Sequence, residues 1–281
     1  MSGGVYLLNK PRGFSSRRAA SRVAHSWSYE KWGHCGTLDP EASGVLPVLL
    51  GRATRLSQYL TGGTKVYSFT LVMGVTTESN DMESPVLQTR DATGVSREMV
   101  ISALERLTGT IEQTVPLYSA VRINGKRAFK FARSGETPVM PTRTVCVRNW
   151  SLGDVEECLV RLRVEVSQGT YVRALARDAG ELLGVGGVAT DIVREESAGF
   201  SLRECSSDYS SSNAMLTMAQ ALRAYPWHHL SPPDVSRVLH GLSVDGDMAG
   251  DVALVAGDGR LIAMGRGENG VVKPVRVLEK P

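Results

Sequence analysis

Residues 159 to 184 constrain the fold of this chain more than any other stretch. Val160, Leu162, Val164 and Val166 alternate with Arg161, Arg163 and Glu165, and a period of two marks a strand with one face buried and the other wet. Ser167-Gln168-Gly169-Thr170 breaks the alternation. Beyond it Val172, Leu175, Ala176, Ala179 and Leu183 recur at helical spacing until Gly184 ends the run. Elsewhere strands and helices mix without a regular βαβ rhythm, so the expected class is α+β with a largely antiparallel sheet.

Other segments fit that class. Gly4 to Asn9 reads as a buried strand, and Lys10-Pro11-Arg12-Gly13 as a turn. Ser15 or Ser16 can cap a helix through about Trp27, with Ala19, Ala20, Val23 and Ala24 inward. A glycine-rich loop spans 33 to 44, and residues 64 to 73 read as a strand. Met99, Val100, Ala103, Leu104 and Leu107 form a helical stripe closed by Gly109. Asn213 is expected to cap a helix from Ala214 to about Ala224. The proline-bearing run from Tyr225 to Pro233 reads as a boundary without regular structure. After it, Val252 to Ala256, Leu261 to Met264 and Val271 to Val277, separated by Gly-Asp and Gly-Glu turns, predict a small β domain over 231–281. The larger domain is expected over 1–226.

Composition excludes several classes. At 42% hydrophobic and 22% charged, the chain is neither disordered nor fibrous. Its longest nearly apolar run, Val45 to Leu50, falls far short of the ~20 residues of a membrane span. The start lacks a secretory profile, so a soluble, cytoplasmic protein is expected. Cysteines at 35, 146, 158 and 205 and five histidines form no metal-ligand spacing, and no metal cofactor is expected. Net charge is only +3, but residues 1–60 carry eight Lys or Arg against three Asp or Glu, and residues 118–148 seven against one. Two basic blocks on an acidic background point to a polyanion partner.

The most informative stretch is Lys31-Trp32-Gly33-His34-Cys35-Gly36-Thr37-Leu38-Asp39-Pro40-Glu41-Ala42-Ser43-Gly44-Val45-Leu46-Pro47. Its glycines allow tight turns and close approach to a ligand, and Pro40 biases Asp39 away from helix. A carboxylate on such a loop is a candidate catalytic group; taken alone, it equally suits an Asp that bonds turn amides.

This stretch resembles the Gly-His-x-Gly-Thr-Leu-Asp-Pro … Gly-Val-Leu-Pro motif of tRNA pseudouridine synthases of the TruB type. Asn9-Lys10-Pro11-Arg12-Gly13-Phe14-Ser15-Ser16, Gly51-Arg52-Ala53-Thr54-Arg55, Lys65-Val66-Tyr67, Pro116-Leu117-Tyr118-Ser119-Ala120 with Gly125, Gly169-Thr170-Tyr171-Val172-Arg173 and Lys273-Pro274-Val275-Arg276-Val277-Leu278 are similar to further family blocks, in order and over nearly the whole chain.

The resemblance implies the pseudouridine-synthase fold: a central, mostly antiparallel sheet flanked by helices, with an RNA-gripping insertion at about 118–142 and a C-terminal PUA-like β domain. It implies isomerisation of the T-loop uridine at position 55 of tRNA. The base is flipped out, detached at N1, turned and rejoined through C5, without metal or nucleotide cofactor. Asp39 matches the catalytic aspartate, which attacks C1′ or removes the ribose 2′ proton; either role needs its ionised form. Arg173 matches the arginine that pairs with it. Tyr67 matches the aromatic that stacks on the base, Tyr171 lines the same pocket, and His34 fills the space left by the flipped nucleotide. Lys10, Arg122, Lys126, Arg127, Lys130 and Arg133 are the candidate phosphate contacts. The expected partner is the T-arm stem-loop of tRNA, with no membrane and no obligatory protein partner, the enzyme acting as a monomer.

Some positions depart from the pattern. Glu41 follows Asp39 by two residues, where like-charge repulsion can reach it. Trp32 and Cys35 replace smaller or hydroxylic residues, Val115 and Phe129 replace a proline and a tyrosine, and Glu195 and Glu196 enter a segment usually richer in arginine, where they would repel phosphate. An RNA-folding helper that grips tRNA with little turnover is the alternative reading, and Asp39, Tyr67 and Arg173 together speak for catalysis. A glycoside hydrolase lacks its second carboxylate.

Overall fold

The structure, a computed structural model, describes residues 3–128, 131, 134, 136 and 138–279. The chain begins with β1 (Gly4–Lys10), α1 (Ser16–Ser26), β2 (Trp32–His34), β3 (Ser43–Leu50) and α2 (Ser57–Thr61). There follow β4 (Lys65–Met73), β5 (Val75–Thr77), β6 (Val86–Thr89), α3 (Arg97–Arg106), β7 (Gly109–Thr114), β8 (Arg122–Ile123) and β9 (Lys126–Arg127). Next come β10 (Thr142–Glu156), β11 (Leu159–Val166), α4 (Val172–Leu182), β12 (Gly187–Ser197), β13 (Phe200–Ser201) and β14 (Met215–Thr217). The chain closes with β15 (Trp227–Leu230), α5 (Pro232–Leu239), β16 (Val244–Asp245), β17 (Gly250–Ala256), β18 (Leu261–Glu268) and β19 (Val271–Val277).

The chain forms two compact units. One takes the chain up to Leu38, Val45–Gly62, and everything from Ala198 onward; the other takes Asp39–Gly44 and Gly63–Ser197.

In the second unit the strand order is β12, β4, β11, β10, β7, with the first two residues of β3 beside β12. Ser43 and Gly44 of β3 run parallel to Val193 and Arg194 of β12, and the other neighbours pair antiparallel. The alternation in β11 sets its register on β4, from Leu159 opposite Val72 to Val166 opposite Lys65. Its four inward side chains are buried, each contributing on the order of 1.5–3 kcal/mol. α4 buries Val172, Leu175, Ala176 and Ala179 and packs on β12, β4 and β7. It lies so close to β12 that a Cβ on Gly180 would fall 2.1 Å from the Gly187 nitrogen. Met99, expected inward on α3, is exposed, while Val100, Ala103 and Leu104 are buried.

In the first unit Ser15 caps α1, its Oγ accepting the Arg18 N–H at 3.2 Å, and Ala19, Ala20, Val23 and Ala24 are buried as their spacing requires. β1 lies between β14 and β3, with β2 on β3. The C-terminal sheet has the order β15, β17, β18, β19, β16. Its Val255, Leu261 and Met264 share one apolar cluster with Val5, Leu7 and Leu49, so it is built into the N-terminal core. Leu230, Val238, Val252 and Leu254 form a second cluster.

Two segments also fold differently from expectation. The helix from Ala214 to Ala224 is replaced by 3₁₀ turns at Ser212–Ala214 and Gln220–Leu222 with β14 between them, because Met215–Thr217 pair with Gly4–Tyr6 of β1 and tertiary pairing overrides weak helix propensity. The segment 225–233 contains regular structure: β15 runs parallel to Ala253–Ala256. Its prolines bracket the strand, and Pro232 sits in the first turn of α5, where a missing N–H is tolerated. Among the described residues no helix is long and apolar enough to cross a membrane.

Candidate active site

Asp39 lies in the loop between β2 and β3, its carbonyl accepting the Ala42 N–H at 3.2 Å. The loop enters β3 at Gly44, whose φ is +107° and where a Cβ would lie 2.2 Å from the Arg194 carbonyl oxygen. Only glycine permits both the conformation and the contact, so the loop is pinned against β12 five residues beyond Asp39. Just before Asp39, Leu38 exchanges two 2.8 Å hydrogen bonds with Ser16 Oγ through its N–H and carbonyl.

Arg173, in the first turn of α4, reaches this carboxylate. Its Nε donates to Asp39 Oδ2 at 2.9 Å, its Nη1 to the Ser79 carbonyl at 2.7 Å and its Nη2 to the Tyr118 carbonyl at 2.9 Å. Nη1 also stands 3.3 Å from Asp81 Oδ2. The Arg173 side chain is 4% exposed and Asp81 7%, whereas Asp39 is 40% exposed. A guanidinium this deep costs several kcal/mol unless charge and hydrogen bonds offset the loss of water; here two carboxylates and two carbonyls do so. The result is a rigid cation presenting one accessible carboxylate.

Asp81 is itself saturated: Oδ1 accepts from Ser79 Oγ at 2.5 Å and from the Glu83 N–H at 2.9 Å, and its carbonyl accepts from Thr77 Oγ1 at 2.6 Å. Glu83 titrates above the ordinary carboxylate range. Loss of surrounding water raises it most, the charges of Asp81, Asp39 and Glu41 raise it further, and Arg173 pulls the other way. Gln113, buried on β7, clamps the residue that caps α4: Oε1 accepts the Tyr171 N–H at 2.8 Å, and Nε2 donates to the Tyr171 carbonyl at 3.2 Å. Sequence reasoning missed Asp81, Ser79 and Gln113. A lone Asp among Thr, Ser and Asn reads as loop, and only its inward phase on a short strand marks Gln113.

The remaining sequence-derived residues are distributed unevenly. Tyr67 is buried in mid-β4, opposite Val164 and Arg194. Arg194 also faces Gly44, which sets Tyr67 two strands, about 10 Å, from the end of the Asp39 loop. Tyr171, partly buried, heads α4. His34 lies on β2 opposite Val48, in the first unit. Lys10 departs from expectation: it is fully buried and its Nζ donates to the carbonyls of Pro11 at 2.9 Å and Phe14 at 2.6 Å. It shapes the turn from inside, and this geometry does not offer it to a phosphate.

The basic insertion opens with the β8–β9 hairpin, turning at Asn124 (φ 49°) and Gly125 (φ 81°), as a two-residue hairpin turn requires. Exposed Arg122 and Arg127 stand directly opposite each other, a like-charge pair that repels unless an anion joins it. Lys126 pairs with Glu136 at 3.3 Å and sits 4.3 Å over the Phe131 ring. Phe129, Lys130 and Arg133 lie outside the described residues. Glu195 and Glu196, expected to repel phosphate, both face Arg163, at 2.7 and 3.9 Å. Cys35 is buried in the apolar cluster of the first unit.

Residues 24–172 match the family model described as TruB family pseudouridylate synthase (N terminal domain). This chain belongs to that family. The tRNA pseudouridine synthase B of Geobacillus thermodenitrificans is 36% identical over 300 residues, spanning 98% of this chain and 99% of that protein. Its counterpart from Thermobifida fusca is 36% identical over 291 residues, spanning 99% of each. Among solved structures, a Cbf5-Nop10-Gar1 complex covers 99% of this chain and 85% of that chain with a TM-score of 0.73 and 26% identity. An H/ACA RNP bound to a substrate RNA containing 2′-deoxyuridine shares the fold at 24% identity, with a TM-score of 0.73 over 98% of this chain and 85% of that chain. The TruB-family chain thus has the α+β pseudouridine-synthase fold, and it is an enzyme that makes pseudouridine from uridine.

Proposed function

We propose that this TruB-family enzyme isomerises the uridine at position 55 in the T-loop of tRNA, with Asp39 as the catalytic group. The observation that carries the reading is the Asp39–Arg173 pair: an accessible carboxylate bonded at 2.9 Å to a guanidinium that is itself almost wholly buried. The end-to-end match to relatives named tRNA pseudouridine synthase B supports tRNA as substrate.

In the reaction the N1–C1′ bond breaks, the uracil turns, and a C5–C1′ bond forms. The C5 proton is lost and N1 gains one, so the product is an isomer and no redox partner is needed. Arg173 holds Asp39 through Oδ2, and among the described residues no hydrogen bond engages Oδ1. An ionised Oδ1 attacks C1′ or takes the 2′ proton. The base must leave its stack, at a cost of a few kcal/mol. Tyr67 offers a ring face to it, a contact of ~1–3 kcal/mol. Tyr171 lines the pocket. The exposed Arg122 and Arg127 and the partly buried Lys126 take backbone phosphates, and the Arg122–Arg127 repulsion is relieved when they do.

The test uses an unmodified tRNA transcript carrying tritium at uridine C5. Release of one label equivalent per tRNA is expected, and none once the T-loop uridine is replaced by cytidine. Continued release from the replaced transcript would overturn the site assignment.

A further inference from the structure

The basic character of residues 1–60 is not explained by Lys10, which is turned inward. Half of its eight positive charges lie on Arg12, Arg17, Arg18 and Arg22, all exposed. Arg18 and Arg22, four residues apart, share one face of α1, and Phe14, just before the Ser15 cap, lies against both. The guanidinium carbons of Arg18 and Arg22 lie 4.8 and 4.5 Å from the Phe14 ring centre, and that of Arg22 also lies 5.6 Å from the Tyr209 ring. Tyr209 is positioned in turn by Trp27 Nε1, which donates to its carbonyl at 3.2 Å. α1 contains no acidic residue, and among the described residues no ion pair engages Arg17, Arg18 or Arg22. The nearby Asp208 carboxylate accepts instead from the Ser210 N–H and Oγ, at 3.0 and 2.9 Å.

Stacking uses the flat face of a guanidinium and leaves its in-plane N–H donors pointing outward. It also fixes side chains that would otherwise sample many rotamers, so less order is lost when a ligand binds. Two such forks, about 6 Å apart along the helix, can each take a phosphate with paired hydrogen bonds. We propose that the face formed by Phe14, Arg18, Arg22 and Tyr209, flanked by Arg17, is a phosphate-binding surface for the backbone of the RNA substrate, made of residues other than those of the Asp39 site or the β8–β9 hairpin. The proposal rests on the reading that this substrate is tRNA.

The test measures affinity for unmodified tRNA over a salt series, with turnover followed in parallel. For R18Q/R22Q we expect roughly tenfold weaker binding at moderate salt and a log affinity against log salt slope shallower by about 1.4–1.8, the value for two lost phosphate contacts. The turnover rate at saturating tRNA should be unchanged. R18K/R22K keeps the charges without the forks and should keep the slope while losing part of the affinity. Phe14→Leu removes the stack alone and should do the same to a smaller extent. An R18Q/R22Q protein with natural slope and affinity would overturn the proposal. Should the double glutamine variant not fold, an unchanged affinity in both R18K/R22K and Phe14→Leu would overturn it equally. A changed slope without turnover by the natural enzyme would instead sink the catalytic reading and leave this surface standing.

Discussion

Arg173 and the Arg122–Arg127 pair show two opposite uses of the same side chain. Arg173 is closed in by two carboxylates and two carbonyls, every direction of its fork answered by protein. Arg122 and Arg127 face one another across an exposed hairpin, and the one described side-chain hydrogen bond of Arg122 goes to the Gly125 carbonyl at 3.3 Å. The buried arginine is architecture: its charge is balanced within the fold and its role is to hold Asp39 still. The exposed pair is unbalanced within the fold, and under the proposed function a backbone phosphate of the RNA completes it. Burial and partner count, more than residue type, separate the two roles.

The largest effect should come from breaking the buried side. Arg173→Met leaves Asp81 buried without its cation and should cost about 3–5 kcal/mol of stability, read by denaturant unfolding, together with all measurable turnover. Arg173→Lys keeps the charge but loses the fork; it should fold, with kcat reduced on the order of 100-fold. A lysine variant of natural rate would mean that charge alone suffices. Gln113→Leu should come next, since it strands the N–H of Tyr171, whose carbonyl keeps the Leu175 N–H at 3.1 Å. We expect a loss of ~1–3 kcal/mol and a lower kcat with little change in KM for tRNA. An equal rise in KM would place Gln113 with the binding groups instead.

On the exposed side, R122Q/R127Q should leave the melting temperature unchanged or slightly raised, because a repulsive pair is removed. The salt slope of tRNA binding should become shallower by about 1.4–1.8. The smallest effect comes from a third arrangement, the half-exposed pair of Arg223 and Glu204. Hydrogen bonds from Arg223 are the main reason that the Glu204 carboxyl is pulled down to about 2. A depressed carboxylate stabilises the fold above its unfolded value, here the ordinary 4.5, and that contribution fades as pH falls through the folded value. The melting temperature of Glu204→Gln should therefore lie slightly below that of the natural protein at pH 7, and the gap should narrow between pH 4.5 and pH 2. With Glu204 one-third exposed, solvent screening keeps the gap small.

What was legible in the sequence follows from the range of the interactions. The alternation of β11, the stripe of α4 and the Ser15 cap are local patterns, and each forms where its spacing puts it. The motif residues Asp39 and Arg173 were legible through resemblance, and they meet across 134 positions of sequence. Asp81 and Gln113 were not, because each acquires its role only from a distant partner: Asp81 from Arg173, Gln113 from the main chain of Tyr171. Lys10 was misread for the converse reason. A lysine in a Pro-Gly turn looks like a surface cation, and nothing in its neighbourhood announces that the turn folds over it and uses its ammonium as an internal donor. The strand at Trp227–Leu230 was hidden by its flanking prolines, since its partner β17 lies more than twenty residues on.

The central claim is that one accessible carboxylate, held by a buried guanidinium, performs the isomerisation. Asp39→Asn retains the side-chain shape and removes the charge, so the direct test is C5-tritium release from unmodified tRNA by this variant beside the natural enzyme, with tRNA affinity measured on both. Near-complete loss of release with affinity retained is the predicted result. Equal release from the two proteins would contradict it.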